Sequence, residues 1–260
     1  MLPRGLVAIV SGASGGIGSA TVRSLLERGA NVVLAAPDDD ALGRISHEVA
    51  AAGSCALVVP TDIRYRDEID RLVARTLERF GRIDVLVNLA GVGSSPSLCD
   101  TTDAELEQVV AVNLLGAARL MHAVLPAMQA QRRGSIVNVG SIAGEAGVMG
   151  IYSASKFGLR GLNDSVRREV RSWGVAVTLI EPGFVRTAMN PRMQRLPSPQ
   201  IVADAILNAI ARPRRRRIVP ALYRLPVYLD KVLPGFTDLV FGDARVQRRL
   251  NRDARAERQA

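Results

Sequence analysis

The chain has 260 residues, 48% apolar and 23% charged, enough apolar material for one sizeable buried core, which excludes a disordered or collagen-like protein. Lys and Arg number 34 against 25 Asp and Glu, a formal charge of +9, and residues 212–260 alone hold thirteen of those bases and five of the acids. No run reaches the roughly 18 uncharged apolar residues of a spanning helix and no leader pattern is legible, so the chain reads as soluble and cytoplasmic.

Short apolar, β-branched runs at residues 6–10, 31–35, 55–59, 85–88, 135–139, 175–180 and 218–219 predict buried strands. Segments of helical period lie between them, at 17–28, 66–80, 104–131, 152–173 and 199–211. Strict alternation of the two predicts right-handed crossovers and an α/β fold: a doubly wound parallel sheet with helices on both faces, spanning residues 1–220. After Pro220, the residues Leu222, Leu225, Leu229, Leu233 and Phe236 recur at three- and four-residue intervals among bases. That pattern predicts a basic amphipathic helical extension over 221–260, ending in a polar, frayed stretch at 245–260.

Cys55, Cys99, His47 and His122 lack ligand spacing, so no metal site is expected, and the sparse cysteine fits a reducing compartment. Only Lys156 and Lys231 among the 34 bases are lysines, which asks for a specific reason at Lys156.

Directly after the first strand comes Ser11-Gly12-Ala13-Ser14-Gly15-Gly16-Ile17-Gly18, leading into a helix. Glycines there let the backbone turn sharply and approach a pyrophosphate, whose charge meets free N–H groups and the positive end of the helix dipole. The spacing is G-x-x-x-G-x-G, and a plain tight turn explains it equally well in isolation.

Further along stand Asn88-Leu89-Ala90-Gly91 after the fourth strand, Asn113 in a helix, Ser141 after the fifth strand, and Tyr152-Ser153-Ala154-Ser155-Lys156 opening the next long helix. Together with the glycine turn these resemble the short-chain dehydrogenase/reductase family over about residues 4–190. The resemblance implies an oxidoreductase that moves a hydride between NAD or NADP and a hydroxyl or carbonyl group of a small molecule, and the shortage of bases other than Arg192 and Arg195 at residues 192–199 fits an apolar one. It assigns Gly12, Ser14, Ile17 and Gly18 to the phosphate loop, Asp62 with Ile63 to the adenine, and Asn88, Ala90 and Gly91 to the adenosine ribose. Pro182, Gly183, Val185 and Thr187 fall to the nicotinamide.

Each assignment has a plainer alternative: Asp62 as the cap of the helix near Arg66, Asn88 as a tie between strands. At the end of the second strand relatives carry Asp at the place of Ala36 for NAD or Arg at the place of Pro37 for NADP, and this chain has neither. Asp38, twenty residues beyond Gly18, stands near the separation expected of an acid on a ribose 2′-hydroxyl, which favours NAD. Alternatively, Asp38 to Asp40 merely open the next helix.

Tyr152 and Lys156, four apart, share one helix face, where the ammonium should couple to the phenol and lower its pKa to make it a usable acid/base. By the resemblance Tyr152 exchanges a proton with the substrate oxygen, Ser141 stabilises that oxygen, Lys156 also anchors the nicotinamide ribose, and Asn113 supports a relay through Lys156 and water. Residues 192–199 fall where relatives place a mobile lid. A homodimer or tetramer paired through helices 104–131 and 152–173 is likewise implied by resemblance.

The extension reads as a cover over the active-site mouth or a subunit contact with the arginines at 214–217 solvated, or as a peripheral membrane contact with anionic lipid. Nucleic-acid binding ranks last for want of a reading module. A catalytically weak cofactor-binding scaffold or sensor is the alternative to an enzyme, and a dehydratase or epimerase would need a larger substrate domain.

Overall fold

A computed structural model describes residues 2–38, 40–43, 45, 55–95, 97–186 and 196–243. All seven strands form, β1 (Val7–Ser11), β2 (Asn31–Ala35), β3 (Ala56–Val58), β4 (Val85–Asn88), β5 (Gly134–Val139), β6 (Val175–Pro182) and β7 (Arg216–Val219). They pair in parallel throughout, in the order β3-β2-β1-β4-β5-β6-β7. The order reverses between β1 and β4, and the crevice beyond the carboxyl ends of strands at such a point is where open α/β sheets take ligands.

Alternate strand residues serve opposite layers. Ala8, Val10, Val32 and Leu34 face one core with α1 (Gly16–Leu26) and Gln200–Ala211, whereas Ile9, Val33, Leu86 and Ile136 face the other, under Arg66–Phe80, Ala117–Gln131 and the residues around Val166. Burial on both sides explains why these strands read as continuous apolar runs rather than alternating ones.

In chain order the helices after α1 are α2 (Arg66–Phe80), α3 (Asp103–Val110), α4 (Ala117–Gln131), α5 (Gly150–Glu169), α6 (Gln200–Ala211), α7 (Arg224–Val232) and α8 (Pro234–Phe241). The single helix expected over 104–131 is α3 and α4 joined by a π-helical stretch, Ala111–Gly116, that carries Asn113. Contrary to expectation, the run Asp103–Gln131 is long and apolar enough, by length and composition, to cross a membrane. The reason is core packing: Val109, Leu120, Met121, Val124 and Met128 are fully buried inside the protein.

The extension begins as a helix, as expected, and the structure sets which side faces inward. On α7, Val227 is buried and Lys231, four residues on, points inward with it. Leu225, Tyr228 and Val232 share the opposite, solvent-facing side, and Leu222 just before the helix is exposed as well. Nor are the arginines at 214–217 all simply solvated: Arg215 pairs with Asp164 at 2.6 Å, and Arg216, inside β7, binds two buried carboxylates. Residues 187–195, which include Thr187 and the first half of the expected lid, and residues 244–260 lie outside the described residues.

Candidate active site

The glycine turn is a cradle that side chains would fill. Gly12 has φ +66°, and a Cβ there would stand 2.8 Å from the Ala90 nitrogen; one at Gly18 would stand 2.1 Å from the Gly12 carbonyl oxygen. Helix α1 starts at Gly15 with no side-chain cap, so its first N–H groups are open to an anion. These observations fit a dinucleotide pyrophosphate. Ile17 is partly buried against the first core. A cavity of about 410 Å³ lies alongside, between Gly16, Ala20 and Ser24 of α1 and Ser198 and Gln200, apart from Ser141 and Tyr152.

Ser11 was not singled out as a site residue, yet it joins this turn to the next motif. Its hydroxyl accepts the backbone N–H groups of Leu89 and Ala90 at 3.2 and 3.3 Å. The signal available was its place at the end of β1, where an extra hydroxyl can only meet the neighbouring strand's exit.

Asn88 ties strands, as its plainer alternative held. It donates to Asn138 Oδ1 at 2.7 Å, and Asn138 donates in turn to Asn163 Oδ1 on α5. Asp62 does not cap the helix near Arg66, whose N-cap is Tyr65 without a side-chain bond. Instead its carboxylate takes the backbone N–H and the guanidinium of Arg64, which holds it below the usual carboxylate range. Ile63 is buried in the second core. Asp38 accepts the Ala41 N–H at 3.0 Å, opening the helical turn that follows, and is exposed.

Further round the cleft, the π-helical stretch aims Asn113 at the loop after β4. Its amide donates to the Val92 carbonyl at 3.0 Å and to Ser155 Oγ at 3.1 Å, and its oxygen accepts the Val92 N–H at 2.8 Å. Every polar atom of this buried side chain is therefore committed to protein, and its bonds tie the loop at Val92 to α5. A Cβ on Gly91 would lie 3.2 Å from Asn113 Oδ1 and 3.4 Å from Lys156 Nζ, so a side chain here would press on both of them.

Ser141 leaves β5 and caps a short 3₁₀ turn, accepting the Ala143 N–H at 3.1 Å. Its proton is thus free to be donated, and the hydroxyl hydrogen-bonds Tyr152 on α5. Lys156 Nζ lies 5.7 Å from the Tyr152 ring centre and donates to the Val139 carbonyl at 3.2 Å. Sequence reasoning brought these three side chains together correctly.

Their electrostatics differ from expectation. Burial pushes the Tyr152 phenol up from its ordinary value, and the Ser141 bond opposes it only in part. Burial also pushes Lys156 down, to about 8. Ammonium and phenolate forms are both disfavoured in the dry pocket, so the ammonium does not lower the phenol as the four-residue spacing suggested; desolvation wins.

At the end of β6, the Gly183 N–H donates to the Val219 carbonyl at 2.8 Å, and Val185 is buried in the first core. A Cβ on Gly183 would stand 2.2 Å from the Tyr223 ring, which also meets Phe184 edge-on at 6.5 Å between ring centres. The start of the extension therefore lies directly on the segment assigned to nicotinamide.

A family model described as short chain dehydrogenase matches residues 6–196. The chain is 31% identical over 253 residues to the ketoacyl reductase HetN of Nostoc sp., covering 91% of this chain and 88% of that protein. Among solved structures, it resembles a metagenomic short-chain oxidoreductase in complex with NADP (37% identity, TM-score 0.74, 83% of this chain and 96% of that one). It also resembles a short chain dehydrogenase/reductase from Burkholderia phymatum in complex with NAD (27% identity, TM-score 0.83, 90% and 95%).

Proposed function

The chain belongs to the short-chain dehydrogenase family, and from that premise we propose how its own side chains carry out the oxidoreductase chemistry. The bound NAD or NADP supplies or accepts the hydride. Tyr152 exchanges the proton with the substrate oxygen, and the Ser141 hydroxyl hydrogen-bonds the same oxygen as charge develops there. Lys156 holds a cation next to the phenol and reaches the ribose hydroxyls. Asn113 acts through position, by fixing the loop at Gly91 against Lys156. The observation that carries this reading is the Ser141–Tyr152 hydrogen bond beside a buried Lys156 with no carboxylate of its own among its described partners.

Gly12, Ser14, Ile17 and Gly18 would hold the pyrophosphate, Asp62 and Ile63 the adenine, Asn88, Ala90 and Gly91 the ribose, and Pro182, Gly183, Val185 and Thr187 the nicotinamide. The exposed Asp38 carboxylate, one oxygen on the Ala41 N–H, supports NAD over NADP. A small apolar ketone or secondary alcohol is the substrate class we favour.

Residues 1–220 form the catalytic domain and 221–260 an appended extension. Leu115 and Phe157, exposed on the π-helical stretch and α5, support a homo-oligomer paired through those elements. The outward Leu225, Tyr228 and Val232, followed by six arginines within residues 244–260, support peripheral contact with anionic lipid. Two free cysteines fit a reducing cytoplasm.

The test is a titration of the purified chain with NADH and with NADPH by nicotinamide fluorescence, then turnover on a panel of apolar ketones. Tight binding of one dinucleotide and turnover that Tyr152→Phe removes by about 10²–10⁴-fold are the expected results. Undiminished turnover in Tyr152→Phe overturns the assignment.

A further inference from the structure

Two carboxylates lie fully buried between the catalytic loop and the end of β6, and no step described above uses them. Glu145 follows the 3₁₀ turn that Ser141 caps, and Glu181 immediately precedes Pro182 and Gly183; their side chains are 0% and 1% exposed. Burial, with the Glu145 carboxyl close beside it, holds Glu181 well above the usual carboxylate range.

Three cations from three different elements converge on them. Arg160, one turn beyond Lys156 on α5, meets Glu145 at 2.7 Å. Arg216 on β7 meets Glu145 at 3.0 Å and also pairs with Glu181. Lys231 on α7 pairs with the second oxygen of Glu145. The cluster thus fastens the extension to both loops that flank the proposed nicotinamide seat. One of those loops is itself wedged against the catalytic helix, since a Cβ on Gly144 would lie 2.9 Å from Lys156.

A buried carboxylate that loses one of its cations is strongly disfavoured, so unseating α7 obliges Glu145 and Glu181 to rearrange. Glu145 directly follows Gly144 and Glu181 directly precedes Pro182. Tyr223, at the start of the same extension, lies against Gly183.

We propose that Glu145, Glu181 and Lys231 are positioning residues that link the seating of α7 to dinucleotide binding. The proposal rests on the functional reading above. Linkage is reciprocal: if a seated helix favours binding, a bound dinucleotide favours the seated helix by the same factor.

That reciprocity supplies a test on the wild-type chain. Lys156 is buried and Lys231 is the other lysine of the sequence, so a lysine-specific protease reports unseating by cutting after Lys231. Saturating NADH or NADPH, whichever binds, is expected to slow that cut about tenfold, and Glu145→Gln to speed it while weakening dinucleotide affinity. Lys231→Met is expected to weaken that affinity about tenfold, with Lys231→Arg recovering most of it. A cut whose rate ignores saturating dinucleotide, or a folded Lys231→Met chain with wild-type affinity, overturns the linkage. A wild-type chain that binds neither dinucleotide overturns the functional reading and the linkage with it.

Discussion

At the glycine-turn end of the cleft, the proposed phosphate seat, the chain makes room by leaving side chains out, at Gly12 and Gly18, and offers backbone N–H groups. At the other end, the proposed nicotinamide seat, it does the opposite and packs charged side chains, Lys156, Glu145 and Glu181, into the interior. The two lysines of the chain meet that interior in different ways. Lys156 sits alone and gives up part of its hold on a proton, whereas Lys231 is matched with a carboxylate. Steric demands should therefore govern substitutions at the first end, independent of pH, and protonation should govern them at the second.

The largest expected effect is at Lys156. Its folded-state pKa of about 8 lies below the ordinary 10.5, so below pH 8 both folded and unfolded chains carry the proton and the fold bears the full cost of a buried ammonium. Between about 8 and 10.5 the folded chain binds fewer protons than the unfolded one, and stability rises with pH. Lys156→Met should accordingly stabilise the cofactor-free chain by roughly 3 kcal/mol at neutral pH while removing turnover. Thermal unfolding measured from pH 7 to 10.5 should show that advantage shrinking; an advantage flat across the range would break the comparison.

Next comes Gly18→Ala at the other end. The added carbon meets a carbonyl oxygen at 2.1 Å, and overpacking of this kind costs roughly 1–3 kcal/mol. We expect dinucleotide affinity to fall about ten- to hundredfold by the same amount at pH 6 and pH 9, which fluorescence titration checks.

A smaller effect is expected from Asp38→Asn, which keeps a cap for the Ala41 N–H but removes the charge that would repel a 2′-phosphate. The ratio of NADPH to NADH affinity should rise about tenfold with no change in melting temperature. Ser11→Ala, losing the acceptor for two backbone N–H groups, should cost about 1 kcal/mol of stability and weaken both dinucleotides only slightly.

The same contrast governs what could be read beforehand. Strand and helix order followed from buried β-branched runs and helical period, and the glycine cradle and the Tyr152–Lys156 face followed from local spacing. The π-helical stretch at Asn113 did not, because an apolar run of helical period looks alike whether its backbone bonds close at four residues or five. Nor did the Glu145–Glu181 cluster, whose five members lie between positions 145 and 231 and meet only once β6, β7 and α7 are in place. Apolar periodicity in the extension located α7 but not its facing, since the inward side is chosen by a carboxylate some eighty residues earlier in the chain.

The contact of the Tyr223 ring with Gly183 leaves no room for a methyl group between them. Positions 183 and 223 are consequently free to vary only as a pair: a larger residue at the first demands a smaller one at the second. A chimera that grafts a foreign C-terminal segment onto this core would have to fill that face of the glycine with a flat ring of its own, or leave a hole beside the cleft.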